Sequence, residues 1–251
     1  MVDGCIVYTE DYNGKNRQRA RIRSIGFICS IKSCIFVYSK DNALMLQADN
    51  ISICFDNECV LNQFSCHIEK GAFACIAGES GCGKTSLLRS FLGLTPLIEG
   101  TIRVGEHMLN ECSCSDIRRS VAYLPQDLAL PYDTVNEVVS HVLKVGGLRY
   151  DHSARIQLRE NLTKLGLDDD LLGKHMVEIS GGQRQRIMLA VLALLNREVW
   201  LLDEPTAALD GVSRDYVIVF LTEQQQQGKT IVAVSHDRSF ATKCSKVIIL
   251  S

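Results

Sequence analysis

The stretch Phe73 to Ser86, FACIAGESGCGKTS, sets the reading of the whole chain. FACIA reads as a strand buried on both faces, and Gly78 to Thr85 fits G-x-x-x-x-G-K-[ST], with an apolar helical run, LLRSFLGL, directly behind it. Glycines at 78, 81 and 83 let backbone N–H groups turn inward, and such a curl at a helix N-terminus is a nest for an anion. Glu79, Ser80 and Cys82 complete the curl. Lys84 is placed to reach a pair of phosphates, Thr85 to hold Mg²⁺, and Ser86 carries the loop into the helix.

The complement comes more than a hundred residues later. The apolar strand VWLLDE ends in Asp203 and Glu204. A strand buried on both faces does not end in two adjacent carboxylates without a cation or a reaction to serve. Asp203 suits Mg²⁺ and Glu204 suits the general base that polarises an attacking water. These residues imply a nucleotide triphosphatase without choosing among its families.

The rest of the chain alternates strands and helices. MLQADNISICF and VLNQFSCHI read as strands of a small antiparallel sheet, and TIRV as another strand after the first helix. Residues from about 128 to 176 read as helices, including VNEVVSHVLKV and ARIQLRENLTKLG, with no strand between them. A helix from Arg186 to Asn196, the VWLLDE strand, a helix ending in Gln224–Gln227, and the strands TIVAVSHD and KVIILS follow. The pattern predicts an α/β fold: a mostly parallel sheet, a β-subdomain near residue 45 and a helical insertion over about 127–180. The glutamine run is expected to be a solvated helix end.

Composition narrows the partners. The formal charge of −2 gives no basic field for nucleic acid, so phosphate must be recognised by local geometry. Residues 1–44 carry seven Lys or Arg against four Asp or Glu, a net +3, which leaves −5 for residues 45–251. The apolar run Ile25 to Tyr38 is too short to span a bilayer and is broken by Lys32, so this extension reads as a mis-assigned start, a signal-like segment or a surface anchor. Of the eleven cysteines, Cys54, Cys66 and Cys75 sit in strand-like runs, as buried free thiols do in a reducing compartment. Cys112 and Cys114 lack a second pair at metal-ligand spacing. Cys82, inside an anion nest beside Lys84, is expected to be a nucleophilic thiol shielded by bound nucleotide. His67, His107, His141, His152 and His175 have no such partners and read as structural or surface residues.

A third stretch chooses the family. Ser180-Gly181-Gly182-Gln183, in EISGGQRQR, together with the two motifs above resembles the signature of the ATP-binding-cassette family, with Ile179 where leucine is usual. The remaining motifs resemble that family in order: Gln126 in AYLPQD the Q-loop, Leu209-Asp210 in PTAALD the D-loop, and His236 in VSHD the switch histidine. Phe55 lies where the family stacks an aromatic ring on adenine. The resemblance covers Met45 to Ser251. It implies an ATPase that closes head to tail, as a homodimer or with a paralogue, around two ATP. Ser180, Gly182 and their helix would then meet the γ-phosphate held on the partner chain, with Gln126 joining Thr85 and Asp203 at the metal.

The resemblance further implies an integral-membrane permease docked near Gln126 to Val135 and the helical insertion. The subunit would be cytoplasmic, on the inner face of the membrane, with a solute-binding protein if the system imports. The run LALPYDTVNEVV resembles compact cassettes paired with export-type or metal-homeostasis permeases. The alternative is a non-transport ATPase of the same family acting on a nucleic-acid or ribosomal partner. Against it, the chain has no long heptad-bearing insertion and no second cassette.

Overall fold

The computed structural model describes residues 44–56, 58–128 and 131–250. The basic and apolar extension ahead of Leu44 lies outside the described residues.

Two sheets form the frame. Strands β1 (Leu44–Phe55), β2 (Glu58–Glu69), β4 (Glu99–Val104) and β5 (His107–Met108) make an antiparallel sheet in the order β2-β1-β4-β5. Strands β3 (Phe73–Gly78), β6 (Val121–Leu124), β7 (Val199–Asp203), β8 (Thr230–Val234) and β9 (Lys246–Leu250) make a parallel sheet in the order β6-β7-β8-β3-β9. The central strands β7 and β8 are buried throughout because both faces are covered, as parallel sheets require.

Alternate residues of the parallel sheet feed two cores. Cys75, Trp200, Leu202 and Ala233 face one cluster, which takes in helices α3 (Val135–Val145), α4 (His152–Lys164), α5 (Gly181–Leu194) and α6 (Gly211–Gln226). Ala74, Ile76, Leu201 and Val232 face the other, with Leu87 and Leu88 of α1 (Lys84–Ser90) and the apolar face of the antiparallel sheet. The α/β class, the antiparallel subdomain and the helical stretch between β6 and α5 thus follow the sequence pattern.

Several boundaries differ. Helix α1 stops at Ser90, short of the expected LLRSFLGL span, because Gly93 takes a left-handed conformation (φ 63°) and its N–H donates back to Ser90 O. Helix α2 (Cys114–Ser120) and β6, which pairs Val121–Leu124 with Val199–Leu202, escape a periodicity reading because they are too short to show one. Helix α5 begins at Gly181, five residues ahead of the expected start, since a cap at Ser180 overrides the poor helix propensity of two glycines. The glutamine run is not simply solvated: Gln224 is buried, and Gln225 Nε2 donates to Gly71 O at 2.6 Å. Cys54 is not a free thiol. It is the Cα partner of Cys59 across the β1–β2 hairpin and is joined to it by a disulfide that brackets Phe55 and the turn, a proximity that only strand pairing creates.

Candidate active site

The carboxyl ends of β3, β6, β7 and β8 converge on one edge of the parallel sheet. Gly78 ends β3, and a Cβ there would lie 2.4 Å from Leu250 O and 2.7 Å from Cys82 Sγ, so only glycine lets the chain leave the sheet at this point. Glu79, Ser80 and Gly81 are exposed, and Gly81 and Gly83 hold φ of 87° and 90°, which turns the loop over onto α1. Lys84 is buried at the first position of α1, and its Nζ donates to Gly78 O at 2.9 Å and Glu79 O at 2.6 Å and stands 3.9 Å from Cys82 Sγ. The ammonium is therefore held inside the curl of the loop, where incoming phosphate oxygens can exchange with two carbonyls. Thr85 and Ser86, both half-buried, follow in the first turn.

Asp203 and Glu204 close the site from β7. Thr85 Oγ1 donates to Asp203 Oδ1 at 3.1 Å, while Oδ2 is buried with no hydrogen-bond partner among the described residues. Burial pushes the Asp203 carboxyl above its ordinary range; the Thr85 hydrogen bond opposes this and the neighbouring Glu204 adds to it. Glu204 sits in the left-handed region (φ 51°), which a non-glycine residue adopts at a cost met by its surroundings. Its N–H donates to Val234 O at 3.0 Å and its carbonyl accepts from Gln185 Nε2 at 2.6 Å. Its Oε1 meets His236 Nδ1 at 2.9 Å, whereas its Oε2 is buried and unpartnered among the described residues. Two orphaned carboxylate oxygens beside a threonine hydroxyl are a hard-oxygen donor set that fits Mg²⁺ and a polarised water.

The other expected residues fall around this centre. Gln126, exposed, lies two residues beyond Leu124, whose parallel partner is Leu202, so it stands at the same sheet edge as Asp203. Phe55, about half exposed (47%), ends β1 at the tip of the hairpin whose Val60 packs at Gly83. Ser180 caps α5: its Oγ accepts from Gln183 N at 3.2 Å, and Gln183 Oε1 accepts from Ser180 N at 3.0 Å. Gly181 and Gly182 make the first turn, and a Cβ on Gly182 would lie 2.8 Å from Ala208 O and 2.9 Å from Leu209 Cδ2. Asp210 caps α6 by accepting from both the N–H and the hydroxyl of Ser213 at 2.9 Å. Backbone and hydroxyl hydrogen bonds from Ser213 hold its carboxyl below the usual range.

A family model described as ABC transporter matches residues 61–207, more than half of the chain. The chain belongs to the ABC transporter family. Among its relatives is the phosphonates import ATP-binding protein PhnC of Trichormus variabilis, 33% identical over 202 residues, covering 77% of this chain and 82% of that protein. The zinc transport system ATP-binding protein TroB of Treponema pallidum is 30% identical over 217 residues, covering 83% and 79%. The dimeric structure of the bacterial ABC transporter cassette MJ0796 superposes with a TM-score of 0.75 at 26% identity, over 82% of this chain and 94% of that one. A post-hydrolysis state of the same cassette, bound to ADP and phosphate, gives 0.73. The cassette described here is accordingly an ATPase of a transport family.

Sequence reasoning missed Gln185 although it lies inside the signature stretch, because its buried amide reaches Glu204, 19 residues on, only through packing of α5 against the end of β7. Arg214 and Asp237 were missed for the same reason.

Proposed function

We propose that the chain is the ATP-hydrolysing subunit of a membrane transporter whose solute path lies in a separate permease, and that two cassettes close head to tail around two MgATP. The observation that carries this reading is the start of α5. Ser180 and Gly181 are exposed at the N-terminus of a 14-residue helix, which suits a phosphate presented by another chain. The dimeric cassette of similar fold supports it. Homodimer and paralogue pairing fit the geometry equally.

The proposed roles follow the contacts. The glycine curl and Lys84 hold the β- and γ-phosphates, and Phe55 stacks on the adenine. Glu204, oriented by His236 at Oε1, receives the proton of the attacking water at Oε2. Thr85, Asp203 and Gln126 would hold Mg²⁺, which when bound neutralises charge on the phosphates. Ser180, Gly181, Gly182, Gln183 and Asp210 form the surface offered to the partner's nucleotide. Hydrolysis removes the γ-phosphate that both halves grip, so the dimer opens.

No helix among the described residues is long and apolar enough to cross a membrane. In this proposal a separate permease docks near Gln126 and α3, with the cassette on the inner face of the membrane. The names of the relatives, phosphonates import among them, favour import with a solute-binding protein. The test is to tag the chain, cross-link it in native membranes and identify what co-purifies. A multi-spanning partner is expected; recovery with ribosomes, nucleic acid or soluble proteins alone overturns the transport reading and leaves the ATPase.

A further inference from the structure

Arg214 belongs to none of the motifs above, and Asp237 ends VSHD with no role given to it, yet the pair joins two motifs. Arg214 lies in the first turn of α6, and its N–H donates to the carbonyl of the cap, Asp210, at 2.9 Å. Its Nη1 lies 3.1 Å from Asp237 Oδ2, in a pair whose side chains are only 34% and 23% exposed. Asp237 is fixed from both ends: Oδ1 accepts from the Ser239 N–H and hydroxyl at 2.8 and 2.7 Å, and its own N–H donates to Ser235 Oγ at 3.1 Å. Burial pushes its carboxyl up, but the Ser239 hydrogen bonds and the Arg214 guanidinium outweigh this and hold it low, so the pair is charged.

His236 needs such a device. Its ring is 68% exposed, and its hydrogen bond to Glu204 depends on where the loop from Ser235 to Asp237 stands. Arg214 shares a cavity of about 290 Å³ with Glu204, Thr206, Ser235, His236 and Asp237. Its Nε is buried there without a partner among the described residues, so the guanidinium is fastened chiefly through Asp237. On its other side, α6 is capped by Asp210, directly after the Ala208–Leu209 turn that packs on Gly182.

We infer that Arg214 is a positioning residue: by holding Asp237 it sets His236 against Glu204, and it ties that bond to the turn beneath the signature helix. A shift of the Ala208–Leu209 turn on contact with a partner cassette then moves α6, Arg214, Asp237 and the His236 ring together. The inference rests on the proposed catalytic roles of Glu204 and His236.

The test uses the full-length chain and compares Arg214→Met, Asp237→Asn, their combination and Arg214→Lys for kcat, KM and equilibrium binding of labelled ATP. Each single change is expected to lower kcat about tenfold while KM and ATP affinity stay within about twofold, and the double variant to be no slower than the worse single, the non-additivity of one shared contact. Arg214→Lys keeps a cation and is expected to recover part of the loss. Unchanged kcat, multiplying losses in the double variant, or a matching fall in ATP affinity overturns the inference. Should Arg214→Met fail to fold, Asp237→Asn and the exchanged pair Arg214→Asp/Asp237→Arg carry the same comparison. Glu204→Gln and His236→Ala at wild-type rates would instead overturn the catalytic reading on which it stands; if both abolish turnover while Arg214→Met does not, only the positioning role falls.

Discussion

Thr85 and Asp203, 118 residues apart, share a hydrogen bond of 3.1 Å that ties the glycine-rich loop to the end of β7 and leaves the second aspartate oxygen buried and, among the described residues, unpartnered. The consequence is a carboxylate that is costly to charge until a cation arrives. Its folded-state pKa is raised, so the folded protein binds this proton more tightly than the unfolded chain. That contribution to stability is present at low pH and is lost as pH rises through the raised pKa. Melting temperatures of the wild-type chain and Asp203→Asn without divalent cation should therefore diverge as pH rises above the ordinary aspartate range, the wild type losing ground. MgATP should close the gap at neutral pH, and parallel melting curves at every pH would contradict this account.

The Glu204–His236 bond predicts a separation of binding from turnover. Glu204→Gln keeps the side-chain shape and an acceptor oxygen for His236 but cannot take a proton. Turnover should fall by about 10²- to 10⁴-fold, the range of a lost general base. ATP binding should persist, and the variant should accumulate as an ATP-dependent dimer in light scattering. His236→Ala should lower kcat in the same direction, and a variant that binds ATP and still turns over normally would exclude Glu204 as the base.

Gly182 predicts a defect in dimerisation that spares nucleotide binding. Alanine there would meet the Ala208 carbonyl and Leu209 at under 3 Å, so the turn must move, at a cost of about 1–3 kcal/mol typical of overpacking. Gly182→Ala should retain ATP affinity in the monomer and lose dimerisation and turnover. Ser180→Ala removes the α5 cap and should cost about 1 kcal/mol of stability by urea titration. If Gly182→Ala dimerises normally with ATP, the turn does not transmit to the interface.

The cysteines predict an order of labelling that peptide mass mapping can read. Among the free cysteines of the described residues, exposed Cys112 and half-buried Cys82 should alkylate first. Cys66, whose thiol burial pushes up to about 12, should resist in the folded chain. Cys54 and Cys59 should label only after a dithiol reductant opens their disulfide. MgATP should protect Cys82, and modification of Cys82 should abolish ATP hydrolysis; a Cys82→Ser variant equally sensitive to the reagent would place the critical thiol elsewhere.

The sequence by itself determined the parts whose information is local. The G-x-x-x-x-G-K-T loop, the buried VWLLDE strand and the SGGQ start of a helix each carry their backbone requirement in consecutive residues, so element type, α/β class and the order of motifs were legible. What only the tertiary structure decided are relations between residues that sequence distance does not encode. Gln185 on the Glu204 carbonyl, Arg214 on Asp237, Cys54 on Cys59 and Gln225 on Gly71 all arise where separate elements pack or strands pair. Short elements such as β6 were hidden for a related reason: four residues show no period, and they become a strand only because β7 offers them a hydrogen-bonding edge.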